Sequence, residues 1–81
     1  MEFISESPYK TPPMTVNVYD ADNKIIDTFE APAGYQLERY VSSIHPNLDL
    51  RIKMSTTDFN VKVFDNDVLA KIYNGVYQKK N

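Results

Sequence analysis

The sequence predicts one small α+β domain from three observations: two pairs of β-type runs joined by turn formers, an apolar stripe of helical period after each pair, and a length that fits one core. A chain of 81 residues buries only about 60% of the surface that its unfolded form exposes, which excludes a second domain. The expected order is ββαββα, with an antiparallel or mixed four-stranded sheet and two helices in residues 14–81. Residues 1–13 carry Pro8, Pro12 and Pro13, which remove backbone donors and favour extended conformations at the preceding residues, so they read as an N-terminal tail.

Met14, Val16 and Val18 alternate with Thr15, Asn17 and Tyr19, the period-two pattern of a half-buried strand. Turn formers fill Asp20 to Lys24, and Ile25 to Glu30 resumes a β-type run, which makes a hairpin. The phase of that second run is open. Turning Ile25 and Phe29 inward also buries Asp27, whereas turning Ile26 and Thr28 inward exposes Ile25 and Phe29; a bulge or strand end would resolve the conflict. Ala31-Pro32-Ala33-Gly34 breaks the strand. Leu37, Tyr40, Val41 and Ile44 then mark one face of a helix over Tyr35 to His45, which Pro46 stops.

Leu50, Ile52 and Met54 alternate with Arg51, Lys53 and Ser55, and after Thr56-Thr57-Asp58 the pattern returns in Phe59, Val61 and Val63. These runs predict a second hairpin. Asp65-Asn66-Asp67 offers capping side chains to a second helix whose stripe is Val68, Leu69, Ile72, Tyr73 and Val76. Asn74-Gly75 leaves an alternative open, since it can cap that helix or turn between two last strands.

The segment Phe29-Glu30-Ala31-Pro32-Ala33-Gly34-Tyr35-Gln36-Leu37, set between a hairpin and a helix, gives residues 14–52 a resemblance to the β-grasp superfamily of ubiquitin-like and ferredoxin-like modules. The resemblance implies a scaffold commonly used for binding. No site transfers with it, because the iron–sulfur members need cysteines and the conjugated or sulfur-carrier members need a C-terminal Gly-Gly, where this chain has Lys80-Asn81.

With no cysteine there is no disulfide framework, thiolate zinc site or cysteine nucleophile, and a reducing cytoplasm is the expected compartment. No run of about 18 apolar residues could span a bilayer. Residues 1–10 carry Glu2 and Glu6 and lack the apolar stretch of a signal peptide, so no membrane association is expected. His45, the sole histidine, lacks convergent partners and reads as a surface or capping residue. Asp20-Ala21-Asp22 starts like a calcium loop but has Ile25 where glycine is required and Ala31 where a bidentate glutamate is required. Asp65-Asn66-Asp67 fails likewise at Ala70. No enzyme, metal or cofactor is expected.

Surface recognition remains. Charge is uneven: residues 1–49 hold eight acidic and three basic side chains, and residues 50–81 hold three acidic and six basic ones. With Leu50, Ile52, Met54, Phe59, Val61 and Val63 inward, Arg51, Lys53, Asn60 and Lys62 share the outer face of the second hairpin, with neighbours about 5 Å apart, and Tyr19 and Asn17 extend it from the first strand. These residues suit docking on an acidic protein surface. The expected function is a non-enzymatic protein-binding module, an adaptor or an inhibitor of a larger protein such as phages encode. The alternatives are a nucleic-acid-binding domain using the same face, and a structural subunit that self-associates through a sheet edge or Phe29.

Overall fold

Alternation sends Met14, Val16 and Val18 to one side of the first strand, and the rest of the fold is built against that side. The computed structural model describes residues 14–31 and 34–77. In chain order the elements are β1 (Met14–Asp20), β2 (Ile25–Ala31), α1 (Gly34–Ile44), β3 (Asp49–Met54), β4 (Asp58–Asp65) and β5 (Val68–Tyr77). The strands form one antiparallel sheet of five in the order β2-β1-β5-β4-β3, with β2 and β3 at its edges. Helix α1 lays Leu37 and Val41 on one face, closing a core with Met14, Val16, Val18, Ala31, Phe59, Val61, Val63 and Tyr73. Among the described residues no helix is long and apolar enough to cross a membrane.

The structure corrects the expected four strands and two helices. Residues 68–77 form β5, inserted between β1 and β4, and α1 is the single helix among the described residues. Asn66 and Asp67 do not cap a helix. Their φ angles of 52° and 65° are both left-handed, the requirement of a two-residue type I′ turn, which joins β4 directly to β5. The apparent helical stripe arises because a central strand can carry apolar groups on both faces. Tyr73 points into the core while Ile72 and Val76 point away from it, and a register shift beside Phe64 displaces Leu69 from strict alternation. Asn74 and Gly75 lie inside the strand, paired to β1 on one side and to β4 on the other.

The conflict in β2 resolves through a bulge. Phe29 and Ala31 oppose Val16 and Met14 on the helix side, Asp27 follows them opposite Val18, and the register then shifts between Val18 and Tyr19. Ile25 and Ile26 end up 58% and 50% exposed. Asp20, at the preceding turn, accepts the backbone N–H groups of Asp22 and Lys24 at 2.9 and 3.0 Å, which fixes the hairpin. The expected tail with Phe3, Ile4, Ser7-Pro8 and Thr11-Pro12 lies outside the described residues.

Candidate functional site

Among the described residues a single helix covers one face of the sheet, and the other face carries the strand residues that alternate with the core. Register aligns them in transverse rows. One row runs Thr28, Asn17, Asn74, Asn60, Lys53 across all five strands. The next runs Tyr19, Ile72, Lys62, Arg51, and a third runs Glu30, Thr15, Val76, Asp58. All five residues expected from the sequence, Tyr19, Arg51, Lys53, Asn60 and Lys62, lie on this face, in two adjacent rows.

The row of three asparagines is unusual chemistry for central strands, where asparagine is depleted because its side chain packs poorly on a pleated surface. Thr28 donates its hydroxyl to Asn17 Oδ1 at 3.0 Å, which turns the Asn17 amide nitrogen away from Thr28. Asn74 and Thr28 were not legible as members of this surface, the first because its strand resembles a helix and the second because the phase of β2 was open.

Arg51 differs from the two lysines. Its Nε donates to Asp49 Oδ2 at 3.1 Å, its terminal nitrogen donates to Asp67 Oδ1 at 3.3 Å, and its guanidinium stands 4.0 Å over the Phe64 ring. These exposed ion pairs contribute little to stability, but they hold the cation in place and offset its charge. Asp49 two residues along the same strand is a partner readable from sequence. Asp67 becomes one only through the type I′ turn. The positive charge presented outward by the second hairpin therefore rests mainly on Lys53 and Lys62.

On the helix side, His45 stands at the end of α1, where its backbone N–H donates to the Val41 carbonyl at 3.0 Å. It is partly buried beyond the end of α1, with Nε2 3.2 Å from the Tyr73 hydroxyl and its ring edge-on to the tyrosine at 6.1 Å. Burial, aided by the charge of Lys71, lowers its pKa below the ordinary 6.5. Burial likewise raises that of Tyr73, with further contributions from Tyr40 and Asp27. Both shifts favour neutral partners. Because the unfolded chain takes up this proton at higher pH than the folded one does, the contribution of His45 is present above pH 6.5 and is lost as pH falls from there through the lower folded pKa. The single histidine resonance should titrate by proton NMR with a midpoint below 6.5, and the stability of His45→Gln should fall less than that of the parent between neutral and mildly acidic pH. A midpoint at or above 6.5 would contradict this environment.

Among the described residues no group of three or more His, Cys, Asp or Glu side chains is placed to hold a metal ion. No protein-family model, no curated protein and no solved structure matches this chain.

Proposed function

We propose that this chain is a small binding module that docks through the uncovered face of its sheet on an acidic surface of another protein, acting as an adaptor or an inhibitor. The observation that carries the reading is the pairing of coverage with composition. Among the described residues a five-stranded sheet carries one helix on one face only, and the opposite face holds Lys53, Lys62 and Tyr19 around an asparagine row. Each asparagine brings both an amide donor and a carbonyl acceptor, so the row matches the mixed polar groups of a protein surface, while the lysines select for carboxylates. Tyrosine adds a rigid contact of the kind enriched at interface hot spots. A reducing cytoplasm suits a chain without cysteine.

Nucleic acid is the weaker fit. A backbone-tracking groove needs several free cations, and Arg51 is already held by Asp49 and Asp67.

The deciding variant is Lys53→Glu/Lys62→Glu. Arg51 is left alone, because a carboxylate there would face Asp49 and Asp67 and disturb the turn. Native capture with mass spectrometry should recover an acidic protein with the parent chain and lose it with the folded double variant. Recovery of the same proteins by both would remove this face from consideration. Tight binding of a single-stranded oligonucleotide, falling steeply with salt, would instead establish the nucleic-acid reading.

A further inference from the structure

Strand β3 is an edge of the sheet, and its backbone alternates between bonded and open groups. Ser55 donates its N–H to the Asp58 carbonyl at 2.9 Å, and the regular antiparallel register that runs back from this pair bonds the backbone of Lys53, Arg51 and Asp49 to β4. The N–H and C=O groups of Leu50, Ile52 and Met54 then point outward, and among the described residues no strand covers them. The other edge is blunted where the Asp27 carboxylate accepts the Thr28 N–H at 2.8 Å.

The side chains of β3 sort by the same alternation. Leu50, Ile52 and Met54 lie on the helix side, where α1 leaves Ile52 and Met54 exposed. Arg51 and Lys53 lie on the uncovered side, Lys53 at the end of the asparagine row. A strand added to this edge meets an apolar lane on one side and cations on the other.

A second copy of the chain does not suit it. Antiparallel self-pairing keeps the two faces of the sheet matched only when the two-fold axis passes through a residue. The axes that overlap most of β3 pass through Arg51, setting it against its own copy, or through Ile52, setting Arg51 against Lys53. Like charges directly opposite across strands are destabilising. Negative charge fits instead. In an antiparallel addition residues 51 and 53 fall at the pairs without backbone bonds, where side chains come closest, so a carboxylate opposite Lys53 meets it directly. Arg51 is already shared between Asp49 and Asp67, which leaves Lys53 as the stronger selector.

We infer that β3 is a strand-addition site for an extended protein segment in which apolar residues alternate with acidic ones. The apolar residues cover Ile52 and Met54, the acidic ones reach Lys53 and Arg51, and main-chain bonds to Leu50, Ile52 and Met54 hold the segment in register. The inference rests on the reading of an acidic protein partner and names the segment by which that partner attaches.

The test uses the full chain and the end-capped synthetic peptide Thr-Val-Glu-Val-Glu-Val-Thr, with amide hydrogen exchange followed by NMR. In the chain alone the amides of Leu50, Ile52 and Met54 should exchange fast and those of Arg51 and Lys53 slowly. Peptide at up to about 5 mM, several times the Kd of a weak contact, should slow the first three and leave the other two unchanged, an alternation that docking on either face does not produce. Replacing both glutamates of the peptide by lysine should raise Kd at least about tenfold, as should Lys53→Glu in the chain. Ile52→Pro removes one outward donor at an edge position where proline is tolerated, and should weaken the peptide equally while the fold is retained. Slow exchange of Leu50, Ile52 and Met54 in the chain alone would show the edge already filled, by residues 1–13 or by a second copy, and would overturn the inference. So would peptide binding without the alternation, or equal affinity for the lysine peptide. Absent protection alongside capture that still depends on Lys53 and Lys62 would overturn strand addition and leave docking on the uncovered face standing.

Discussion

Phe59→Ala should remove at least about a quarter of the molecule's stability. Phe59 is 0% exposed, lying in β4 beneath the start of α1, and its ring would be 3.3 Å from a Cβ added at Gly34. Removing a buried phenylalanine ring costs about 3–5 kcal/mol, from lost transfer free energy and the cavity left behind. A domain of this size holds roughly 4–12 kcal/mol in total, at about 0.05–0.15 kcal/mol per residue. The melting temperature should fall by at least about 12 °C, since each kcal/mol is worth about 4–8 °C in a domain this small. Thermal unfolding followed by circular dichroism checks it, and a drop of only a few degrees would mean that the helix does not anchor on this ring.

The second large effect is expected at Gly75, where the sign is as informative as the size. Glycine inside a strand is ordinarily a weak point that alanine would improve. Here an added Cβ would stand 2.6 Å from Met14 Cγ and closer still to Sδ, and Met14 is itself fully buried. Gly75→Ala should therefore destabilise by about 1–3 kcal/mol, the range for an overpacked core. In the Met14→Ala background the same substitution should cost much less, with a coupling of about 0.5–3 kcal/mol in a urea double-mutant cycle. Additive losses would show that the two positions do not compete for space. This close approach belongs to the strand assignment, since a glycine capping a helix would have no reason to face Met14.

Much of the fold was legible in local pattern. Met14, Val16 and Val18, the stripe through Leu37 and Val41, and the alternation of Phe59, Val61 and Val63 each report which side of one element is buried, whereas on the edge strand β3 the expected inward residues Ile52 and Met54 are 39% and 59% exposed, because one short helix does not reach over that edge. Lys53, Lys62, Asn60 and Tyr19 were legible for the same reason, as the residues alternating with those core positions. The conflict in β2 was visible too, because Asp27 and the flanking isoleucines could not all be satisfied in one phase.

Residues 66–77 were decided by tertiary structure. Asp65-Asn66-Asp67 can cap a helix or form a type I′ turn, and the run from Val68 to Val76 can be striped or two-sided; local sequence weighs these choices almost evenly. What separates them is the free edge that β1 and β4 present to each other's neighbour. A strand inserted there pairs its N–H and C=O groups on both sides and buries Tyr73 under α1, whereas a helix would leave both edges unsatisfied. The same insertion aligns Asn74 with Asn17 and Asn60 and brings Asp67 to Arg51. The sequence by itself determined which residues of β1 and β4 alternate with the core. Only the tertiary structure, by completing the ladder through β5, made those residues one continuous surface.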